Sequence, residues 1–79
     1  MVKSDVLEML KNRTIDVEFI KRDGDLRVMT CTLVESKVPP TNTHMENDEF
    51  CAVFDLHHQD WRRFRWDSVL TVNGEKFGE

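Results

Sequence analysis

The sequence predicts a mainly β domain, with four to five antiparallel strands closing into a small barrel behind one short N-terminal helix. Three observations point there. Residues 14–34 alternate in polarity on either side of Asp23-Gly24, a residue pair favoured in tight hairpin turns. Residues 50–72 repeat that arrangement and are followed by a second turn signal, Asn73-Gly74. Helical spacing of apolar residues occurs once, close to the N-terminus. The 79 residues make one domain, 1–79, near the lower size limit for folding without staples, and a hydrophobic content of 39% is enough for a core.

The helix is expected over residues 4–12. Ser4 stands where a cap is wanted, with Asp5 and Glu8 in the first turn and Lys11 and Arg13 near the end, as the helix dipole favours. Val6, Met9 and Leu10 fall at i, i+3, i+4 and form a stripe that must dock on the sheet, because so short a helix does not stand alone. Thr14–Arg22 then alternates, with Ile15, Val17 and Phe19 on one face. With Asp23-Gly24 as a two-residue loop, Arg22 faces Asp25, Phe19 lies opposite Val28, and Val17 opposite Thr30. Leu26–Val34 is the returning strand.

Residues 35–49 break the pattern. Pro39-Pro40 cannot occupy a central strand, Thr41-Asn42-Thr43 has turn character, and Glu46-Asn47-Asp48-Glu49 is acidic, so a long mobile loop is expected. Phe50–Leu56 resumes alternation, with Phe50, Ala52, Phe54 and Leu56 on one face. His57-His58-Gln59-Asp60 forms the connection to a strand over Trp61–Ser68. Val69–Val72 continues that strand or bends into a last short one, and Asn73-Gly74 leads on to Glu75-Lys76-Phe77. The inventory reads as a curled sheet of SH3-like type, against a flat sheet with the helix on one face.

Enzymatic chemistry finds no foothold in the inventory. Gly occurs three times, in turns or at the C-terminus, and none builds a phosphate loop. Ser4, Ser36 and Ser68 lack a nucleophile-elbow context. His44, His57, His58 and Cys51 lack zinc-ligand spacing, and the adjacent histidines would point to opposite faces of a strand. No catalytic residue, metal or cofactor is therefore expected. Cys31 and Cys51 sit in apolar runs and read as reduced core residues. No apolar run approaches the ~20 residues that span a bilayer, so the expectation is a cytoplasmic protein with no membrane partner.

The net charge of −4 hides an uneven distribution. Residues 44–50 carry acids without bases, whereas Trp61-Arg62-Arg63-Phe64-Arg65-Trp66 packs three arginines among three aromatics. On a strand, Trp61, Arg63, Arg65 and Asp67 take one face, and Arg62, Phe64, Trp66 and Ser68 the other, with Phe64 and Trp66 in the core. Trp61, Arg63 and Arg65 then form a ridge suited to bases and phosphates. Arg62 flanks it, and Lys21, Arg22 and Arg27 on the first hairpin extend it. The competing reading pairs these arginines internally, with Asp55, Asp60 or Asp67.

Two blocks carry a family resemblance. Lys21-Arg22-Asp23-Gly24-Asp25-Leu26-Arg27-Val28-Met29-Thr30-Cys31-Thr32-Leu33 is one. Val53-Phe54-Asp55-Leu56 with Trp61-Arg62-Arg63-Phe64-Arg65-Trp66-Asp67-Ser68-Val69 is the other. Over residues 15–72 the chain resembles the small WYL-like proteins of tailed bacteriophages, single domains of Sm-like or SH3-like barrel fold. The resemblance implies a phage-encoded early or accessory protein working in a bacterial cytoplasm, and no catalytic reaction. Related WYL modules of bacterial regulators are associated with ligand or nucleic-acid sensing through barrel arginines; the matching stretch here is Arg62–Arg65. The expected function is binding of single-stranded DNA or RNA through the Arg/Trp strand. The alternative is a protein-interaction module that inhibits or modulates a host bacterial enzyme, which suits an acidic chain with exposed strand edges. Free edges also leave homo-oligomerisation open.

Overall fold

The computed structural model describes residues 1–39 and 49–78. Helix α1 spans Lys3–Asn12 and begins differently from expectation, because Val2 is the N-cap and Ser4 lies inside the first turn. Asp5 supplies the anchor instead: its carboxylate accepts the Val2 N–H at 3.0 Å, beside the positive end of the helix dipole. Val6 and Leu10, one turn apart, are fully buried, and Met9 packs at the edge of the core. Leu10 O accepts the Leu33 N–H at 2.9 Å, which ties the end of the helix to the sheet.

Six strands follow: β1 (Ile15–Ile20), β2 (Leu26–Thr32), β3 (Phe50–Asp55), β4 (Asp60–Arg65), β5 (Val69–Val72) and β6 (Glu75–Lys76). They form one antiparallel sheet in the order β4-β3-β2-β1-β5-β6. The two-residue β6 takes the number past the four to five expected. Asn73 and Gly74, at φ 52° and 81°, turn the chain into it with the double left-handed geometry of a type I′ turn. The expected long strand 61–68 ends at Arg65. Trp66–Ser68 is a 3-10 turn, and Val69–Val72 is a separate strand paired with β1.

The first hairpin forms as expected, with its register moved by one residue. Val17 pairs with Met29 and Phe19 with Arg27, rather than with Thr30 and Val28. Gly24 N–H donates to Lys21 O at 2.9 Å and Lys21 N–H to Asp25 O at 2.8 Å, so Arg22-Asp23-Gly24 is a three-residue loop. Gly24 takes φ 92°, the left-handed position that closes such a loop. A one-residue slip exchanges the faces of a strand. Here it buries Met29 and Cys31 beside Val17 and Ile15, and leaves Val28 exposed.

Along β3, Phe50, Ala52 and Phe54 share one face, as the alternation predicts. Cys51 and Val53 join the core, while Phe50 and Ala52 lie on the far face with Phe54, which packs edge-on against Trp61 at 5.7 Å. The core gathers Val6 and Leu10 of the helix with Ile15, Val17, Met29, Cys31, Val53, Phe64, Trp66 and Val72. Both cysteines are buried. Burial, with smaller contributions from Cys51, Asp55 and Asp16, pushes the Cys31 thiol up to about 12. Phe19 of β1 stacks on Phe64 of β4 at 6.1 Å although two strands separate them in the sheet. That contact requires the sheet to curl onto itself, which decides for the barrel over the flat arrangement.

Within the 35–49 loop, Glu35–Lys37 forms one 3-10 turn. Residues 40–48 lie outside the described residues, and with them His44, the acidic run and the expectation of mobility. No helix among the described residues is long and apolar enough to cross a membrane.

Candidate functional site

The site is built around a carboxylate in an apolar phase. Along β3 the inward positions are Cys51, Val53 and then Asp55, which is 1% exposed and pairs with Cys31 of β2. A buried carboxylate is tolerated only when its oxygens are satisfied. Here the turn after β3 satisfies them. Asp55 Oδ1 accepts the His57 N–H at 2.9 Å and the His58 N–H at 3.2 Å, and Oδ2 accepts the His58 Nδ1–H at 2.8 Å. Gln59 at φ 53° completes the reversal into β4. Burial pushes the Asp55 carboxyl up, but the His58 backbone and ring bonds, the His57 N–H and the nearby His58 charge outweigh it. The carboxyl is held below its ordinary value of 3.8.

Two guanidiniums converge on the same oxygen. Arg27 alternates with Met29 and Cys31 on the inward face of β2, and its Nη2 lies 3.4 Å from Asp55 Oδ2. Arg62 alternates with Phe64 on the inward face of β4, and its Nε lies 3.6 Å from Oδ2. One carboxylate cannot neutralise two guanidiniums, so this end of the barrel keeps a positive excess. Among the described residues, no buried side-chain nitrogen or oxygen is left without a partner.

Above this cluster opens a cleft of about 300 Å³. Its apolar floor is Phe19 and Met29, and its walls are Lys21, Arg22, Arg27, Arg62 and Arg63. The first hairpin contributes three of these cations and β4 the other two. Lys21 makes an exposed ion pair with Asp23 at 3.7 Å, worth little in water. Arg22 pairs with no described acid. Arg63 lies over the Phe50 ring, with Cζ 4.7 Å from the centroid.

The residues singled out from the sequence thus divide into two groups. Lys21, Arg22, Arg27, Arg62 and Arg63 share the cleft. Trp61 packs on Phe54 across the far face, and Arg65 lies 3.4 Å from Asp67, so neither lines it. The expected ridge placed Arg62 at its margin; the curl of the sheet makes Arg62 and Arg27 the centre and leaves Arg63 at the rim. Internal pairing of Arg62 with Asp55 and of Arg65 with Asp67 occurs as the competing reading had it, while Arg27 joins Asp55 as well.

Asp55 and His58 are the site residues that sequence reasoning missed as a unit. The available signal was an aspartate two residues after Val53 on the same face, followed after Leu56 by two histidines whose backbone can cap it. No group of three or more His, Cys, Asp or Glu among the described residues could hold a metal ion.

Comparison with curated proteins and with solved structures returned no match. A family model does match, over residues 4–70, and it covers the helix, both hairpins and every residue of the cleft. Together with the curled antiparallel sheet, this places the chain in the WYL_2 family of Sm-like SH3 β-barrel fold.

Proposed function

We propose that the protein is a non-catalytic binding protein for single-stranded nucleic acid, with the cleft as its site. The carrying observation is the convergence of Lys21, Arg22, Arg27, Arg62 and Arg63 on an apolar floor, in a chain whose net charge is −4. A cationic wall meets phosphates, and the half-buried Phe19 ring at the floor offers a face for a base; stacking of this kind contributes about 1–3 kcal/mol per base. The overall negative charge confines attraction for polyanions to this one end of the barrel. In keeping with its resemblance to small phage WYL-like proteins, the chain acts as an accessory factor in the cytoplasm of an infected bacterium and carries out no reaction of its own.

Binding is measured by titrating short single-stranded oligonucleotides into labelled protein at two salt concentrations. Affinity falls with salt, and Arg63→Ala or Arg22→Ala lowers the slope of log K against log salt by about one. Both variants keep the wild-type melting temperature to within a few degrees, since both side chains are exposed. Unchanged affinity in both, or a large loss of stability, would remove the cleft from consideration.

A second reading rests on a different surface. Leu26 and Val28 are 58% and 57% exposed, and Ile20, paired with Leu26, is exposed beside them. This apolar patch on the far side of the first hairpin suits a host protein whose activity the barrel modulates. If that is the function, Val28→Glu abolishes capture of one specific host protein from bacterial lysate while oligonucleotide shifts are absent. Capture that survives the substitution sinks this reading.

A further inference from the structure

We infer that the cleft recognises the phosphomonoester end of a nucleic-acid strand, with Asp55 as the residue that positions the two guanidiniums receiving it. The inference rests on the nucleic-acid reading above and narrows its ligand.

Size is the first argument. A volume of about 300 Å³ lies at the bottom of the range for small-molecule sites and is far too small for a tract of several nucleotides. A site of this size holds one phosphate group with its neighbouring sugar or base, and a strand end can seat there.

Charge is the second. The cations are arranged in two layers. Arg27 and Arg62 form the inner one, both in contact with the buried Asp55. Lys21, Arg22 and Arg63 form the rim. Asp55 offsets one of the two inner charges and Asp23 pairs with Lys21, leaving a net positive charge at the bottom and two more, on Arg22 and Arg63, around the mouth. A phosphodiester brings a single negative charge. A phosphomonoester carries about −1.5 to −2 at pH 7 and three terminal oxygens, so it can use the remaining inner charge and a rim cation together.

Donor geometry is the third. Asp55 engages Arg62 through Nε and Arg27 through Nη2. A guanidinium has five N–H donors, so both terminal nitrogens of Arg62 remain for a ligand, and Arg27 keeps Nη1 and Nε. No described acid other than Asp55 pairs with either arginine. Because Asp55 is itself fixed by His57 and His58, the guanidiniums are held before any ligand arrives, and the cost of ordering two long side chains falls outside the binding step. The rim cations then meet the next phosphates of the strand as it leaves the mouth.

The test compares three oligonucleotides of one sequence, carrying a 5′-phosphate, a 3′-phosphate, or hydroxyls at both ends. Wild-type protein binds one of the phosphorylated strands about tenfold or more tightly than the hydroxyl-ended strand, as an added pair of charge-assisted bonds allows. Arg62→Gln brings that ratio below about threefold. A measurement without any variant accompanies it: a nucleoside 5′- or 3′-monophosphate shifts the amides of Lys21, Arg22, Arg27 and Arg62, and the bare nucleoside does not. Equal binding of all three strands, or equal shifts with nucleoside and monophosphate, overturns end recognition while leaving the nucleic-acid reading intact. No binding by any of the three overturns both.

Discussion

Phe64→Ala is expected to remove a large share of the protein's stability, about 3–5 kcal/mol. The ring is almost wholly buried, stacks on Phe19 at 6.1 Å and meets Trp66 edge-on at 5.3 Å. Trp66 in turn stacks on Phe77 at 5.6 Å, so Phe64 is the second of a row of four rings, Phe19, Phe64, Trp66 and Phe77, that runs from β1 to the C-terminal segment. Truncating a core Phe to Ala costs about 3–5 kcal/mol through lost transfer energy and the cavity left behind. A chain of this length has only about 4–12 kcal/mol in total. The row also holds the two ends of the curled sheet against each other, so the loss does not stay local. Urea titration followed by tryptophan fluorescence reads the outcome, with Phe64→Leu as a control that keeps most of the volume. A loss below about 1 kcal/mol in Phe64→Ala would mean that the curl is held elsewhere.

Asp55→Asn is expected to lower stability by about 2 kcal/mol at pH 7 and to flatten its dependence on acid. The asparagine amide turns a donor toward at least one of the groups that now donate to the carboxylate, namely His58 Nδ1–H, the Arg27 guanidinium and the two turn N–H groups, and it loses the charge that faces Arg62. Buried pairs that lose one partner can cost more, but both arginines are partly exposed and recover water. The sign of the pH effect follows from the direction of the shift. The folded-state carboxyl ionises at lower pH than the unfolded one, so its contribution is complete above about pH 5 and disappears as pH falls through 3.8 and then through the lower folded value. Melting temperatures between pH 2 and pH 7 therefore fall less steeply in acid for Asp55→Asn than for wild type. Parallel acid limbs would show that Asp55 is not the responsible carboxylate.

Most of the architecture was legible because alternation and turn chemistry are local. Asp23-Gly24 and Asn73-Gly74 both mark real reversals, and Val6 and Leu10 do face the sheet. What local pattern left open was phase. Asp23-Gly24 is compatible with a two-residue or a three-residue loop, and the choice falls to burial of Met29 and Cys31 across from Val17 and Ile15. In β3, apolar residues occupy every position from Phe50 to Phe54, so a period of two selects neither face. The deciding residue is Asp55, and ordinary expectation places an aspartate outside. Only a turn able to cap it, and arginines arriving from β2 and β4, make the inward position tenable. The cleft was hidden for the same reason: its cations come from two distant stretches of chain, Lys21 to Arg27 and Arg62 with Arg63. Their types were visible as candidates; their meeting depends on the curl.

The ladder between β2 and β3 is short, with only Cys31–Asp55 and Thr32–Phe54 paired, plus the Leu56 N–H donated to Thr30 O at 3.0 Å. The other pairs within each hairpin are longer, at six residues in β1–β2 and six in β3–β4. The molecule therefore resembles two stiff leaves joined at a narrow seam, and the cleft lies between them, with Arg27 on one leaf and Arg62 on the other. Asp55 sits at the seam and is bonded to both. A ligand that draws the two guanidiniums together pulls on that seam rather than bending either leaf, so occupancy of the mouth and the angle between the hairpins become one variable.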